Sequence, residues 1–129
     1  RLHATLLRQG QPVHLSALHP MPPLSSAYAQ ARDHALRDEA LRLSQSGGLG
    51  VMAGDLNTTP WARGLWGAEQ AQMRRASLAV PTWPNAWGGL SVLPLDHVLA
   101  SPGWQLLDAQ TGPDLGSDHR PMVVRLVAR

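Results

Sequence analysis

Hydrophobic residues follow a helical spacing in one long segment of the chain and form short strand-like runs elsewhere. Ser25 and Ser26 are both good N-caps, and from either one an amphipathic helix is predicted to run to about Ser46. Two acids that precede arginines by four positions are assigned to its solvated face. The buried stripe is Leu36, Ala40 and Leu43, and the charge pairs are Asp33 with Arg37 and Asp38 with Arg42.

Six short apolar runs are predicted to be β-strands, and turn residues separate them. The run at 50–54 is uninterrupted, as expected of a strand that is buried on both faces. Because the long helix lies between two of these strands, a right-handed parallel crossover is favoured, and the class is α/β. Thr59 and Pro60 are typical of a helix start, so a second helix is predicted to extend to about Arg74. The predicted strands are 2–7, 12–18, 50–54, 95–101, 122–128 and, with a weaker pattern, 104–109.

The composition fits one folded domain of 129 residues, since 43% of them are hydrophobic and 16% are charged. These fractions exclude a disordered or rod-like chain. Cysteine is absent, which excludes disulfides, thiolate metal sites and a cysteine nucleophile. All 11 basic residues are arginine, but the formal net charge is only +2, so nucleic acid is permitted as a partner without being required. The chain begins at Arg1 rather than Met, which indicates a processed or truncated product.

The most informative polar residues lie at the ends of predicted strands. Asp55 and Asn57 follow the buried strand at 50–54, and open α/β sheets bind ligands at the carboxyl ends of such strands. The same two residues would also suit a turn that leads into a helix. Taken alone, the pair leaves both interpretations open.

A second acid, Asp96, lies inside the apolar strand predicted at 95–101. A charged group is costly to bury there unless it is paired or hydrogen-bonded, so Asp96 needs a partner. Strand alternation puts His97 on the opposite face. For His97, packing as a buried or edge histidine is therefore favoured over a role in the same site.

A third acid belongs to the turn that precedes the last predicted strand. Gly116 and Pro121 bracket this turn, which lets Asp118 and His119 point into one cleft, although a solvated loop would use the same residues. Three strand ends thus each supply an acid, and two of the acids lie beside an amide or an imidazole. These groups are the ones needed for phosphoester hydrolysis assisted by Mg²⁺ or Mn²⁺, which carboxylates bind through hard oxygen ligands.

Four segments of the chain resemble motifs of the endonuclease/exonuclease/phosphatase family, also described as DNase I-like, and they occur in that family's order. The resemblance covers essentially the whole chain, and the second and fourth segments are the most specific. The segments are Leu15-Ser16-Ala17-Leu18-His19-Pro20, Gly54-Asp55-Leu56-Asn57, Leu95-Asp96-His97-Val98-Leu99 and Ser117-Asp118-His119-Arg120-Pro121.

The resemblance is to the second half of the family's domain only. It implies one lobe, a mixed sheet with helices, of a two-sheet α/β sandwich whose active site lies between two similar halves. The family's first half supplies an Asn and a metal-binding Glu. Glu39, assigned to the surface helix, and Glu69, which follows Asn57, match neither of them. Residues 1–129 are therefore expected to be the C-terminal part of one such domain, with the N-terminal half missing.

The resemblance implies roles for the matching residues in the in-line hydrolysis of a phosphomonoester or phosphodiester. Asp55 would activate the attacking water, and Asn57 would hold that water and a phosphate oxygen. His119 would stabilise the charge that develops on the phosphate, with Asp96 orienting its ring. His19 would contact the phosphate or the leaving group.

The resemblance also implies a Mg²⁺ or Mn²⁺ cofactor, bound by Asp118 and Asp55 and completed by the Glu of the missing half. The fragment alone is therefore expected to be inactive, to bind Mg²⁺ weakly and to self-associate through the apolar face that the missing lobe leaves exposed. The substrate class stays open between nuclease and phosphatase. Trp83 or Trp87 could stack on a base or pack in a loop.

Two other functions differ from this one in kind. A non-catalytic binding or assembly domain could retain the fold, but a decayed site would have no physical reason to keep buried acids. A zinc site built from three histidines is disfavoured, because two of them are five positions apart on one strand and face opposite sides. Those histidines are His14, His19 and His34.

Overall fold

The computed structural model describes residues 1–86 and 91–129, and its main element is a five-stranded mixed sheet. Its strands are β1 (Leu2–Arg8), β2 (Gln11–Ala17), β3 (Leu49–Asp55), β4 (Arg74–Arg75) and β5 (Asp96–Ala100). They lie in the order β1-β2-β3-β5-β4. β2 and β3 are parallel, as the crossover prediction requires, whereas the other three pairs are antiparallel. The end of β3 therefore lies between two neighbours, β2 and β5.

Two further strands form a separate hairpin. β6 (Trp104–Thr111) and β7 (Met122–Ala128) pair in antiparallel fashion as a two-stranded sheet. The weaker strand prediction at 104–109 is thus confirmed, and the strand is longer than predicted. The loop between β6 and β7 contains Asp118 and His119, so the hairpin carries one of the predicted site motifs.

Helix α1 spans Ser26–Gln45, close to its predicted limits. The side chain of Ser25 caps it by accepting a hydrogen bond from the backbone N–H of Tyr28 at 3.2 Å. The predicted stripe is confirmed, because all three of its residues are buried in the core. These residues are Leu36, Ala40 and Leu43.

Two charged residues of α1 are buried, and one of them, Glu39, was expected on a surface helix. Glu39 is 1% exposed and Arg32 is 8% exposed. Both occupy the same helical face as Leu36, at spacings of three and four residues, so they fall within the buried stripe. Arg42 pairs with Glu39 at 2.6 Å, and Asp33 pairs with Arg32 at 2.7 Å, in place of the predicted i, i+4 pairs.

The second helix is much shorter than the predicted span of 59–74. A 3₁₀ turn at Arg63–Leu65 leads into α2, Trp66–Gln70. Gly64 and Gly67 weaken the helical preference of this segment, and Gln72 adopts a left-handed φ of 67° beyond its end. The chain then enters β4, an unpredicted strand that pairs with β5. In the part of the chain that the structure describes, no helix has both the length and the apolar character needed to span a membrane.

The two faces of the large sheet differ in burial. In β3 and β5, most side chains on one face are buried, and α1 packs against β3 on that side, whereas most of the alternating residues on the other face are only partly buried. The partly buried face also carries Asp55, which lies opposite Asp96 in the register of β3 and β5. The buried face includes Met52, His97 and Leu99, and the other face includes Val51, Ala53 and Val98.

His97 packs in the interior, as strand alternation predicted. It is 1% exposed, and its Nε2 lies 2.8 Å from the carbonyl oxygen of Thr58. Burial lowers the pKa of His97, because the charged imidazolium loses its hydration there. His97 therefore serves the core as a neutral hydrogen-bond donor, on the face of the sheet away from Asp96.

Candidate active site

Asp55 ends β3 at a point where the backbone approaches the segment after β2 very closely. The preceding residue, Gly54, has a φ of 147°, and a Cβ there would collide with the carbonyl oxygen of Leu18. Only glycine allows this approach. As a result His19, which follows Leu18, places its Nε2 3.5 Å from Asp55 Oδ2.

The turn after β3 holds Asp55 and Asn57 together. The backbone N–H of Asn57 donates to Asp55 Oδ1 at 2.9 Å, and Asn57 Nδ2 donates to the carbonyl oxygen of Pro20 at 3.0 Å. Asn57 has a left-handed φ of 49°, which asparagine tolerates better than most residues. One carboxylate oxygen of Asp55 is thus used inside the turn, and the other faces His19.

Asp96 has the partner that its position inside a strand requires. Its Oδ2 lies 2.7 Å from His119 Nδ1. Because a carboxylate only accepts hydrogen bonds, Nδ1 carries a proton and the ring presents Nε2 to Asp55, whose Oδ2 is 3.7 Å away. The antiparallel register of β3 and β5 therefore brings both acids to one imidazole.

The surroundings of His119 favour its protonated form. Burial lowers the pKa of this imidazole, but the hydrogen bond to Asp96 and the negative charges of Asp96, Asp55 and Asp118 together raise it above its ordinary value. The side chain is 23% exposed, so an anion can reach it from solvent. A cationic imidazole at an accessible position is suited to bind a phosphate oxygen.

Thr82 connects β5 to the loop that carries His119. Thr82 is fully buried, and its Oγ1 accepts hydrogen bonds from the backbone N–H groups of Leu95 and Asp96 at 3.4 and 3.3 Å. Its carbonyl oxygen accepts from the N–H of Arg120 at 2.8 Å. One residue thus ties together the two segments that supply the acid and the histidine.

Trp83 and Asp118 lie at the edge of this group. The ring centroid of Trp83 is 6.4 Å from that of His119, and the two planes are inclined by 45°. Asp118 is exposed, and its carbonyl oxygen accepts a hydrogen bond from the N–H of Asn85 at 2.6 Å. Trp87, the other candidate for base stacking, lies outside the described residues.

The described residues do not complete a divalent-metal site by themselves. Asp55 uses one oxygen in the turn, and Asp118 projects from an exposed loop. Within 1–86 and 91–129, no group of three or more His, Asp or Glu side chains is arranged to hold a metal ion. An octahedral ion such as Mg²⁺ needs more protein or water oxygens than these two acids provide.

Arg32 and Thr82 contact the site but were not among the candidates from sequence. Arg32 Nη1 donates to the carbonyl oxygen of Asn57 at 2.6 Å. A signal existed for Arg32, since it lies four positions before Leu36 on the buried stripe of α1. Thr82 had no such signal, because its hydroxyl bonds to backbone groups that every sequence contains.

The chain belongs to the endonuclease/exonuclease/phosphatase family, whose model matches residues 2–119. This result confirms the resemblance drawn from the four motifs. The name of the family covers endonucleases, exonucleases and phosphatases. No curated protein matches the chain significantly.

Solved structures share the fold at low sequence identity. An endonuclease/exonuclease/phosphatase from Bacteroides vulgatus has a TM-score of 0.76 and 14% identity, with 98% of this chain and 54% of that chain covered. A mannosyl-6-phosphatase of Bacteroides thetaiotaomicron has a TM-score of 0.69 and 16% identity, with 92% of this chain and 52% of that chain covered. Humanized D. rerio TDP2 has a TM-score of 0.74 and 15% identity, with 98% of this chain and 59% of that chain covered. The chain thus spans about half the length of these structures, which confirms the prediction of half a DNase I-like fold.

Proposed function

We propose that this chain is the C-terminal lobe of a Mg²⁺- or Mn²⁺-dependent phosphoesterase that hydrolyses its substrate by in-line attack of water. The observation that carries the proposal is the convergence of Asp55, Asn57 and His19 with the hydrogen-bonded pair of Asp96 and His119. A proton acceptor, an amide and an oriented imidazole are the protein groups that such a reaction needs.

Asp55 is the group that accepts a proton from the attacking water in this proposal. Its Oδ1 is engaged by the Asn57 N–H at 2.9 Å, which leaves Oδ2 for the water. The Nε2 atoms of His19 and His119 lie 3.5 and 3.7 Å from Oδ2. These separations exceed those of ordinary direct hydrogen bonds, so a water that donates to Asp55 and accepts from a histidine can connect the groups.

His119 stabilises the negative charge that develops on the phosphate. Asp96 holds the Nδ1 side of the ring at 2.7 Å, so Nε2 has one preferred direction. Since the pKa of His119 is raised, the ring donates a charge-assisted hydrogen bond over a wider pH range than an ordinary histidine. Removing one such donor from a hydrolase typically lowers turnover by about 10²–10³-fold.

Three residues are assigned to substrate binding. Asn57 holds the attacking water and a phosphate oxygen through its side-chain amide. His19 is 74% exposed on its side chain, so it can follow the phosphate or the leaving group. Trp83, next to His119, can stack on a base or another flat group. One structural neighbour is named as a mannosyl-6-phosphatase, which supports phosphomonoesters, while the family name includes nucleases, so both ester classes remain in the proposal.

The metal ion requires a second lobe in this proposal. Asp118 and Asp55 supply oxygen ligands from this chain, and acids of the other lobe supply the rest. A bound Mg²⁺ or Mn²⁺ would add positive charge beside the phosphate. Because only two acids are available here, we expect the 129-residue chain alone to bind Mg²⁺ weakly; sub-micromolar affinity by calorimetry would contradict this.

The partly buried face of the large sheet is the surface assigned to that second lobe. An open pocket of about 340 Å³ on this side is lined by apolar residues of three strands, including Leu15, Val51 and Ala53. Leu2 and Leu6 on the edge strand β1 are 75% and 54% exposed. Without a cover, such a surface promotes association, so the chain alone should self-associate in sedimentation experiments. A monomer at high concentration would count against the missing lobe.

The test of the function uses the complete protein, that is, this chain together with its second lobe. Mn²⁺-dependent hydrolysis of bis(p-nitrophenyl) phosphate is compared between the wild type, His119→Ala and His34→Ala. His34 is an exposed residue of α1 and serves as the matched control. We expect metal-dependent activity that falls by about 10²–10³-fold in His119→Ala and is unchanged in His34→Ala.

Each other result has a distinct meaning. Full activity in His119→Ala would show that the site is wrongly assigned. The absence of hydrolysis in the wild type, with this ester and with a phosphomonoester, would favour the alternative of a binding or assembly domain that retains the fold.

A further inference from the structure

Arg32 of α1 is buried beside the turn that carries Asn57. Its side chain is 8% exposed, and Nη1 donates to the carbonyl oxygen of Asn57 at 2.6 Å. Nε donates to Asp33 Oδ1 at 2.9 Å, and Nη2 lies 2.7 Å from the same oxygen. A buried guanidinium is tolerated only when its charge is paired and its N–H groups are bonded. Asp33 pairs the charge, and the carbonyl of Asn57 accepts a hydrogen bond from Nη1.

Asn57 is held at three points, and each bond comes from a different part of the fold. Its N–H donates to Asp55 in the same turn, and its Nδ2 donates to Pro20 in the segment after β2. The third bond, from Arg32, is charge-assisted and the shortest of the three. Since Asn57 has a left-handed φ of 49°, these bonds hold a backbone conformation that few residues adopt without support.

Arg32 belongs to a helix that is anchored in the core. Leu36, one turn further along α1, is completely buried in the core. On the other side, a Cβ at Gly64 would lie 3.0 Å from Asp33 Oδ1 and 2.6 Å from Thr58 Oγ1. The segment after β3 therefore packs closely against Asp33, the acid that pairs with Arg32.

We infer that Arg32 is a positioning residue of this site, acting through the backbone carbonyl of Asn57 to keep its side-chain amide in place. The inference rests on the proposed function, in which that amide holds the attacking water and a phosphate oxygen. Lysine cannot substitute, because a single ammonium lacks the planar fork that reaches Asp33 and the carbonyl together. The expected effect is on turnover, since misplacing a group that binds the transition state lowers kcat more than it raises KM.

The kinetic experiment compares Arg32→Lys and Arg32→Met in the complete protein, with bis(p-nitrophenyl) phosphate and Mn²⁺. Arg42→Lys is the matched control, since Arg42 belongs to the same helix but bonds to Glu39. We expect kcat to fall by about 10- to 100-fold in both Arg32 variants, with KM nearly unchanged and the control at wild-type level. Wild-type kcat in Arg32→Lys would overturn the inference and leave the proposed function intact.

A second readout does not depend on catalysis. The chain contains only two asparagines, Asn57 and Asn85, so asparagine labelling with ¹⁵N gives two side-chain amide signals from this lobe. Asn85 Nδ2 donates to the carbonyl oxygen of Ser117 and is the internal reference. Arg32→Lys should speed solvent exchange of the Asn57 amide, which Arg32 does not touch, and leave Asn85 unchanged.

The two readouts separate the inference from the function. Unchanged exchange of the Asn57 amide in Arg32→Lys would overturn the positioning role even if hydrolysis fell. Faster exchange of the Asn57 amide in Arg32→Lys would support the positioning role of Arg32. If the wild type then showed no hydrolysis, only the proposed function would be contradicted.

Discussion

Two acids of the chain contact a histidine, and the two contacts differ in burial and geometry. Glu39 Oε2 lies 3.2 Å from His3 Nε2, beneath α1, and this glutamate is 1% exposed. Asp96 Oδ2 lies 2.7 Å from His119 Nδ1 at the carboxyl end of β3, and this aspartate is 20% exposed. The more deeply buried acid is thus the one remote from the candidate site.

The difference lies in what compensates the negative charge. Burial raises the pKa of Glu39, but Arg42, bonded at 2.6 Å, lowers it below its ordinary value with help from Ser16 and His3. Asp96 instead lies opposite Asp55, another acid. The positive charge that compensates Asp96 is that of His119, whose pKa is raised. A buried acid with its own arginine stabilises the fold, whereas acids grouped around a histidine leave charge available for a ligand.

The largest difference should appear in activity. Asp55→Asn keeps the shape of the side chain but removes the proton acceptor, so kcat of the complete protein should fall by about 10²–10⁴-fold. Glu39→Gln should leave kcat unchanged, because Glu39 takes part in packing and not in the site. The measurement is metal-dependent hydrolysis of a phosphodiester. A comparable loss in both variants would show that burial of an acid, rather than its grouping, matters for this chain.

Stability should show the reverse order. Glu39→Ala removes a buried acceptor that is bonded to Arg42 and His3, and we expect the free energy of unfolding to fall by about 2 kcal/mol. Asp96→Asn should change it by less than about 1 kcal/mol, since it removes attraction to His119 and repulsion from Asp55 together. Urea unfolding measures both values. A larger loss for Asp96→Asn would contradict the comparison.

Sequence reasoning succeeded where the relevant information is local. The stripe of Leu36, Ala40 and Leu43 is set by helical spacing, and the parallel pairing of β2 with β3 follows from the order of the elements. The position of Asp96 among apolar neighbours was enough to predict that it needs a partner. The motifs at strand ends could also be found from the sequence, because each is only a few residues long.

Most of the predictions that were wrong or missing depend on contacts between distant segments. The second helix was predicted too long, because pairing of β4 with β5 could not be read from residues 59–74. Glu39 was assigned to a surface helix, although its position on the buried stripe of that helix indicated burial. Arg32 and Thr82 act on backbone groups more than ten residues away, and side-chain chemistry alone does not reveal such partners.

A smaller effect is expected in the dependence of stability on pH above the ordinary histidine pKa. The pKa of His119 is raised by folding, so its contribution is fully present below the ordinary histidine value of about 6.5 and is lost as pH rises through the folded pKa. Asp96→Asn should remove most of this slope, because it deletes the hydrogen bond that favours the imidazolium. Urea midpoints across this range measure it. Parallel wild-type and variant profiles would mean that Asp96 does not govern His119.

The smallest effect is expected on the acid side, and it belongs to Glu39. Because folding lowers the pKa of this carboxyl, its contribution is present above the ordinary glutamate value of about 4.3 and is lost as pH falls through the folded pKa. Arg42 is 41% exposed, so solvent screens part of the attraction and limits the slope.

Glu39→Gln should flatten the acid limb of the unfolding profile, whereas Glu69→Gln should not. Glu69 is the only other glutamate of the chain, and it is paired with Arg75 at the surface, where an ion pair adds little. Equal flattening in the two variants would place the acid sensitivity in surface charge, and the contrast between the buried glutamate and the acids of the site would then lose its electrostatic basis.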